Sequence, residues 1–254
     1  MDIISSKTNA AVRILRELLH DKKSRDERGM FAAEGDHLCG ELTSTDHEIE
    51  LFAYTEASAR KYPETVNKLL ERAHRAIVIT DALSEYISDT KTPQGLFAAA
   101  EKRTEQLPEN ARKIVALDGV QDPGNVGTMI RTAEAFGIDG AVLLSGCADV
   151  YSPKTLRAAM GSAFRLPFVN CVPSGLSRLL SGFTVYGAML DNTAKRLGEV
   201  KFPEKTAIII GSEGRGISPE VAELCSEKIY IPINGAESLN AAAAAAVLLW
   251  ELSK

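Results

Sequence analysis

Cysteine is scarce and scattered in this chain. Only four occur in 254 residues, Cys39, Cys147, Cys171 and Cys225, with no C-x-x-C pair, which argues against a disulfide framework, a zinc site and thioredoxin-type redox chemistry alike. Long apolar runs are missing as well. The longest, Ala241 to Trp250, falls short of the ~20 residues that span a bilayer, and six of its ten residues are alanine, so no membrane span is expected. The N-terminal Met1-Asp2-Ile3-Ile4-Ser5-Ser6-Lys7 lacks the apolar core of a signal peptide, and together with unpaired cysteines it predicts a cytoplasmic protein. Positive charge is not in excess. The formal net charge is −5, with 15 Lys and Arg against 20 Asp and Glu in residues 1–110 and 14 against 14 in the remainder, so any polyanion site must be local. Internal repeats are absent, and the alanine tract is the only low-complexity segment.

What is present is globular: 45% hydrophobic and 25% charged residues, at a length suited to one large or two small domains. The polar stretch Glu101 to Arg112, with Pro108 inside it, reads as a connection, giving an N-terminal domain 1–103, a linker 104–112 and a C-terminal domain 113–254. The N-terminal part alternates short strands (Met30–Ala33, Ile49–Tyr54, Ala76–Ile79, Leu96–Ala100) with helices (Ala10–His20, Asp36–Leu42, Pro63–Ala73, Asp81–Ile87), a small α/β or α+β pattern. In the C-terminal part, apolar strands at Ile114–Leu117, Ala141–Leu144, Phe168–Val172, Thr184–Leu190, Thr206–Ile210 and Lys228–Ile231 alternate with helical stretches. That pattern predicts a mostly parallel sheet with its ligand sites at loops beyond the strands' C-terminal ends.

Three such loops are polar. Asp118 to Gly127 precedes a helix Thr128–Phe136. Within it Asp122-Pro123-Gly124-Asn125 reads as a tight turn, Asn125 also suits a helix N-cap, and Arg131 also suits a surface pair with Glu134. Gly211 to Pro219 carries three glycines that let backbone approach a ligand, at a spacing that matches neither the dinucleotide-binding fingerprint nor the P-loop. Pro232 to Asn240 precedes the alanine-rich helix, which Ser238 or Asn240 can cap. A fourth segment places Lys154 and Arg157 three apart with no acid between them, suited to a phosphate. A basic cluster near the N-terminus, including Lys22, Lys23, Arg25 and Arg28, reads either as a solvated helix end and loop or as an RNA contact.

The chain resembles the SpoU-type (TrmH-like) RNA 2′-O-methyltransferases of the SPOUT superfamily. Three ordered motifs carry the resemblance: DPGNVGTMIRTAEAFG (122–137), IIIGSEGRGIS (208–218) and IPINGAESLN (231–240). YSPKTLRAAMGSAFRLP (151–167) also looks like the family. FAAEG (31–35) and TPQGLFAAA (92–100) are similar to its ribosomal-protein-like substrate-binding domain, although Asp36-His37 departs from the basic character expected there. The resemblance implies an α/β fold, a C-terminal domain tied in a trefoil knot, a smaller N-terminal α/β RNA-binding domain, and a homodimer formed through the C-terminal domain. It also implies S-adenosylmethionine as cofactor, with Gly187, Leu190, Gly211, Ile231 and Leu239 at its pocket and no metal. Arg131 is carried over as the catalytic residue, with Asn125, Glu213, Ser238 and Asn240 around it. A guanidinium with a pKa of roughly 12.5–13.8 is a poor base, so a phosphate clamp is its first expected role, and Glu213 is the expected carboxylate partner. The implied reaction is methylation of a ribose 2′-hydroxyl, in ribosomal RNA by analogy of architecture. A tRNA ribose methyltransferase, a base methyltransferase and a silent RNA-binding or ribosome-assembly factor are the alternatives.

Overall fold

The computed structural model describes residues 3–103, 106–235 and 238–254. They group into two units, Met1–Thr104 with Tyr151–Phe164, and Glu105–Val150 with Arg165–Lys254. The first unit holds a mixed sheet of β1 (Ile3–Ile4), β2 (Met30–Glu34), β3 (Ile49–Tyr54), β4 (Ala76–Ile79) and β5 (Leu96–Glu101) in the order β1-β4-β3-β5-β2. β1, β4 and β3 run parallel, and β5 is antiparallel to both β3 and β2. Helix α1 (Ala10–His20) starts where Asn9 accepts the Ala11 N–H, and its buried Ala11, Val12, Leu15, Leu18 and Leu19 form one stripe.

The charged run that follows is helical. Asp21 ends α1 and caps α2 (Lys22–Arg28) by accepting the Lys23 and Ser24 N–H groups, and Gly29, at φ 63°, stops it. Helices α3 (Asp36–Thr43), α4 (Glu56–Lys61), α5 (Pro63–Arg72) and α6 (Asp81–Ile87) complete this part of the unit.

The second unit is a seven-stranded, wholly parallel sheet. It comprises β6 (Lys113–Asp118), β7 (Gly140–Leu144), β8 (Phe168–Cys171), β9 (Thr184–Ala188), β10 (Lys195–Arg196), β11 (Thr206–Gly211) and β12 (Glu227–Tyr230), in the order β10-β12-β9-β11-β6-β7-β8. Its central strands are buried end to end, as expected for a sheet covered on both faces. Helix α7 (Pro123–Ala135) begins five residues before the expected start. Asp122 accepts the Asn125 N–H and Pro123 occupies the first position, where its missing N–H costs nothing, so the predicted tight turn is a helix start. Between β7 and β8 the chain forms α8 (Pro153–Ala159) and a 3₁₀ turn at Ser162–Phe164, both part of the first unit. There Phe31 stacks on Tyr151 and Phe164 at centroid distances of 4.6 and 5.4 Å. Helices α9 (Pro173–Leu179), α10 (Pro219–Ala222) and α11 (Ala241–Ser253) finish the second unit, α11 lying against α7 and β11.

Candidate functional site

Because all seven strands of the second unit are parallel, the chain leaves them at one edge. The neighbouring strands β12, β9 and β11 release three loops there, and β9 ends two residues early, at Ala188, so that Met189 and Leu190 peel away. Those loops and the first turns of α11 enclose a cavity of about 410 Å³, within the range of small-molecule sites. Leu190, Gly211, Ile231 and Leu239 line it. Gly187 does not. It lies within β9, where a Cβ would sit 2.8 Å from Cys225 Sγ and 2.5 Å from Met189 Cε, so this glycine serves packing and not the cavity wall. Ala241, Ala244 and Leu248 form a stripe of α11 along the cavity, and Arg215 also reaches it. The alanine tract is the sequence signal for the stripe; the Arg215 contact had none. Burial pushes the Cys225 thiol up to about 11 and raises that of Cys147, so neither offers a thiolate at neutral pH.

The rim is tied together by side-chain amides. Asn240 caps α11, its Oδ1 accepting the Ala242 and Ala243 N–H groups at 2.9 and 3.2 Å, while its Nδ2 donates to Asn125 Oδ1 at 3.3 Å. Asn125 Nδ2 in turn donates to Glu213. Asn240, Asn125 and Glu213 thus join the loops after β12, β6 and β11. The β11 loop is closed by Ser212 and Gly216, which exchange backbone bonds of 3.1 and 2.9 Å, and it is anchored where the Ser218 N–H donates to the buried Asp118 carboxylate at 2.7 Å. On the far side, hydrogen bonds from Lys228 and Thr193 hold the Asp191 carboxyl well below the usual range and fix the β9 loop.

Arg131, two turns along α7, is exposed and makes no hydrogen bond or ion pair among the described residues. Its two expected partners are engaged elsewhere: Glu134 with Arg165 at 2.5 and 3.1 Å, and Glu213 with Asn125. Asn125 is not the N-cap of α7, since Asp122 holds that place. Ser238 lines the cavity without capping α11.

The expected RNA contacts divide. Arg25 is 5% exposed, and its Nη1 donates to Leu18 O at 2.8 Å, so it closes the end of α1 and is turned away from solvent. Lys22, Lys23 and Arg28 are exposed, but each is paired within the same segment, with Asp26 at 2.5 Å, Glu27 at 3.6 Å and Glu17 at 2.7 Å. Lys154 is exposed in the first turn of α8, and Arg157 pairs with Asp89 at 2.8 Å.

Comparison with known proteins gives concordant matches. The model of the SpoU rRNA Methylase family matches residues 112–250, and that of the MRM3-like substrate binding domain matches residues 9–98. The 23S rRNA (guanosine(2553)-2′-O)-methyltransferase RlmP of Bacillus subtilis (strain 168) is 37% identical over 255 residues, 99% of each chain. An AdoMet-bound rRNA methyltransferase from Sinorhizobium meliloti superposes with a TM-score of 0.86 at 29% identity, covering 98% of this chain and 96% of that one. The SpoU methyltransferase AviRb of Streptomyces viridochromogenes, in complex with AdoMet, gives 0.85 at 27% identity, covering 96% and 97%.

Proposed function

Because the chain belongs to the SpoU rRNA methylase family, we propose that it transfers a methyl group from AdoMet to a ribose 2′-hydroxyl of ribosomal RNA, and that it does so in the cytoplasm. The observation that carries the reading is the Asn240–Asn125–Glu213 chain, which draws three loops together at the mouth of the strand-end cavity, with Arg131 on the same helix as Asn125 and without a partner among the described residues. The cavity suits the cofactor: it is apolar along Leu190, Ile231 and Leu239, and Ala241 and Ala244 leave its floor open. Bound AdoMet supplies an electrophilic methyl group on a sulfonium and leaves as a neutral thioether.

Arg131, with no partner among the described residues, clamps the phosphate beside the target ribose, and the two amides and Glu213 hold the rim that orients that ribose. The ribose hydroxyl, so held, would face the methyl group that bound AdoMet would supply, and the hydroxyl proton would pass to the clamped phosphate or to solvent. Ser238 joins the rim at the cavity mouth. Residues 1–103 engage the RNA through Lys22, Lys23 and Arg28, joined by Lys154 of the 151–164 segment that packs with the first unit; the remainder of 113–254 transfers the methyl group, and 104–112 connect them. The second unit is proposed to close in a trefoil knot and to form a homodimer. Val247 and Trp250, 41% and 53% exposed on α11, supply apolar surface for the dimer.

The test is methylation of ribosomal RNA lacking the modification by the full-length protein with methyl-labelled AdoMet, followed by mapping of 2′-O-methyl sites. Label at one ribose of ribosomal RNA is expected. Label on a base, on tRNA alone or nowhere overturns the assignment.

A further inference from the structure

The loop 88–95, between α6 and β5, is irregular yet tied down from several sides. Glu34, buried at the end of β2, accepts hydrogen bonds from Ser88 Oγ, from the Asp89 N–H at 3.0 Å and from Thr90 Oγ1 at 2.9 Å. Gln94 Oε1 accepts the Asp36 N–H at 2.7 Å. Arg157 Nη2 donates to the Asp89 carboxylate at 2.8 Å. Beyond these anchors, Lys91 points its charge from an exposed position, and Thr92 to Gly95 wall a polar cavity of about 500 Å³ that also involves Thr55, Lys61 and Tyr62. The loop therefore shapes much of the polar surface at this end of the first unit.

A guanidinium reads phosphate by presenting its fork of N–H donors. Arg157, its side chain 38% exposed, does not present the full fork: Nη1 is sealed from solvent without a partner among the described residues, and Nη2 is committed to Asp89. Asp89 is also the sole acid in 88–95, so removing Arg157 takes away the ion-pair partner that holds this carboxylate. We propose that Arg157 is a positioning residue for RNA recognition, holding Asp89 so that, with Glu34, it fixes loop 88–95 in its RNA-binding shape, and that it does not itself contact phosphate. The inference rests on the reading of the first unit as RNA-binding.

The test measures RNA affinity across a salt series, using a ribosomal RNA fragment that the wild-type protein methylates. The full-length variants are Arg157→Ala, the charge reversal Asp89→Arg with Arg157→Asp, and Lys91→Ala, with AdoMet binding as the control for folding. Arg157→Ala is expected to weaken RNA binding roughly tenfold with the wild-type salt slope, and the reversal to restore it to within about threefold. A slope lowered by about 0.7–0.9 in Arg157→Ala, with no rescue by the reversal, means a phosphate contact and overturns the proposal. Weakening by Lys91→Ala but not by Arg157→Ala overturns the positioning role and leaves the RNA-binding reading standing. Wild-type affinity in all three overturns both for this loop.

Discussion

Gly211 offers a sharp test of the cofactor cavity. A Cβ at this position would lie 2.0 Å from Gly216 C, 2.2 Å from Gly216 O and 2.3 Å from Ile217 N, all backbone atoms. Ordinary carbon contacts lie near 3.5–4.0 Å, so Gly211→Ala requires the crossing strand of the loop to move by more than about 1 Å. That strand is not free to move: it is bonded at Ser212 and Gly216, anchored through Ser218 to Asp118, and linked through Glu213 to Asn125. Overpacking of this kind costs about 1–3 kcal/mol. If the cost falls on the cavity-competent conformation, AdoMet affinity drops by about 5-fold to 150-fold. Gly214, in the same loop, has nothing within 4 Å of its notional Cβ and is the matched control. Titration calorimetry with AdoMet, after a thermal melt to establish folding, is the assay. Equal affinities for wild type, Gly211→Ala and Gly214→Ala would refute the argument that this crossing shapes the cofactor site.

Other outcomes follow from the same geometry. Arg131→Ala should slow single-turnover methylation by roughly ten- to a hundredfold, the scale of a hydrogen bond to a charged group, with AdoMet affinity kept within twofold and Arg131→Lys falling between; a near-wild-type rate removes the clamp. Asn240→Ala should lose about 1 kcal/mol of stability with the α11 cap, whereas Asn240→Ser keeps a capping oxygen but not the link to Asn125, so Ser should restore the melting temperature and not the rate. Recovery of both would show that the amide link is idle. Burial lowers the pKa of His47, whose Nδ1 faces Glu101 O at 2.8 Å and whose Nε2 is sealed without a partner. The unfolded chain therefore takes up the proton first, and stability present above about pH 6.5 is lost as pH falls through the lower folded value. Melts from pH 8 to pH 5 should show this loss, and an equal slope in His47→Gln would exclude His47 as its source. Trp250→Glu should shift sedimentation toward monomer, and an unchanged or monomeric wild-type profile would sink the proposed dimer.

The fold was largely legible because its elements are strongly patterned. The apolar strands of the second unit and the amphipathic α1 lie within one residue of their expected bounds, apart from β9, which ends two residues early. The two misplaced helix starts share a cause: polar residues that suggest loop act as caps. Asp122 starts α7 five residues early, and Asp21 turns an expected loop into α2, burying Arg25 against the end of α1. A cap is visible in sequence only as one residue type among several, and whether its side chain meets the N–H two or three positions on depends on backbone geometry that spacing does not fix. Likewise, Tyr151–Phe164 reads as part of the C-terminal half because it lies there in sequence. The Phe31 stack that joins it to the first unit is a long-range contact with no local signature.

The site shows the same division in sharper form. The composition of the three loops points to residues that line one cavity, but pairing by charge alone assigns Glu213 to Arg131, and the folded chain gives that carboxylate to an amide. The difference matters for mechanism. An arginine neutralised by Glu213 would have to break an ion pair before gripping RNA, and the cost of that exchange would be charged against substrate affinity. Asn125 instead occupies Glu213 while leaving Arg131's charge uncompensated among the described residues, and Arg165 does the same for Glu134. Both acids expected as partners of Arg131 are thus held by other donors. Under the proposed clamp role, a phosphate would meet a guanidinium with no partner to displace among the described residues, which is the condition a clamp requires and an internal structural arginine does not.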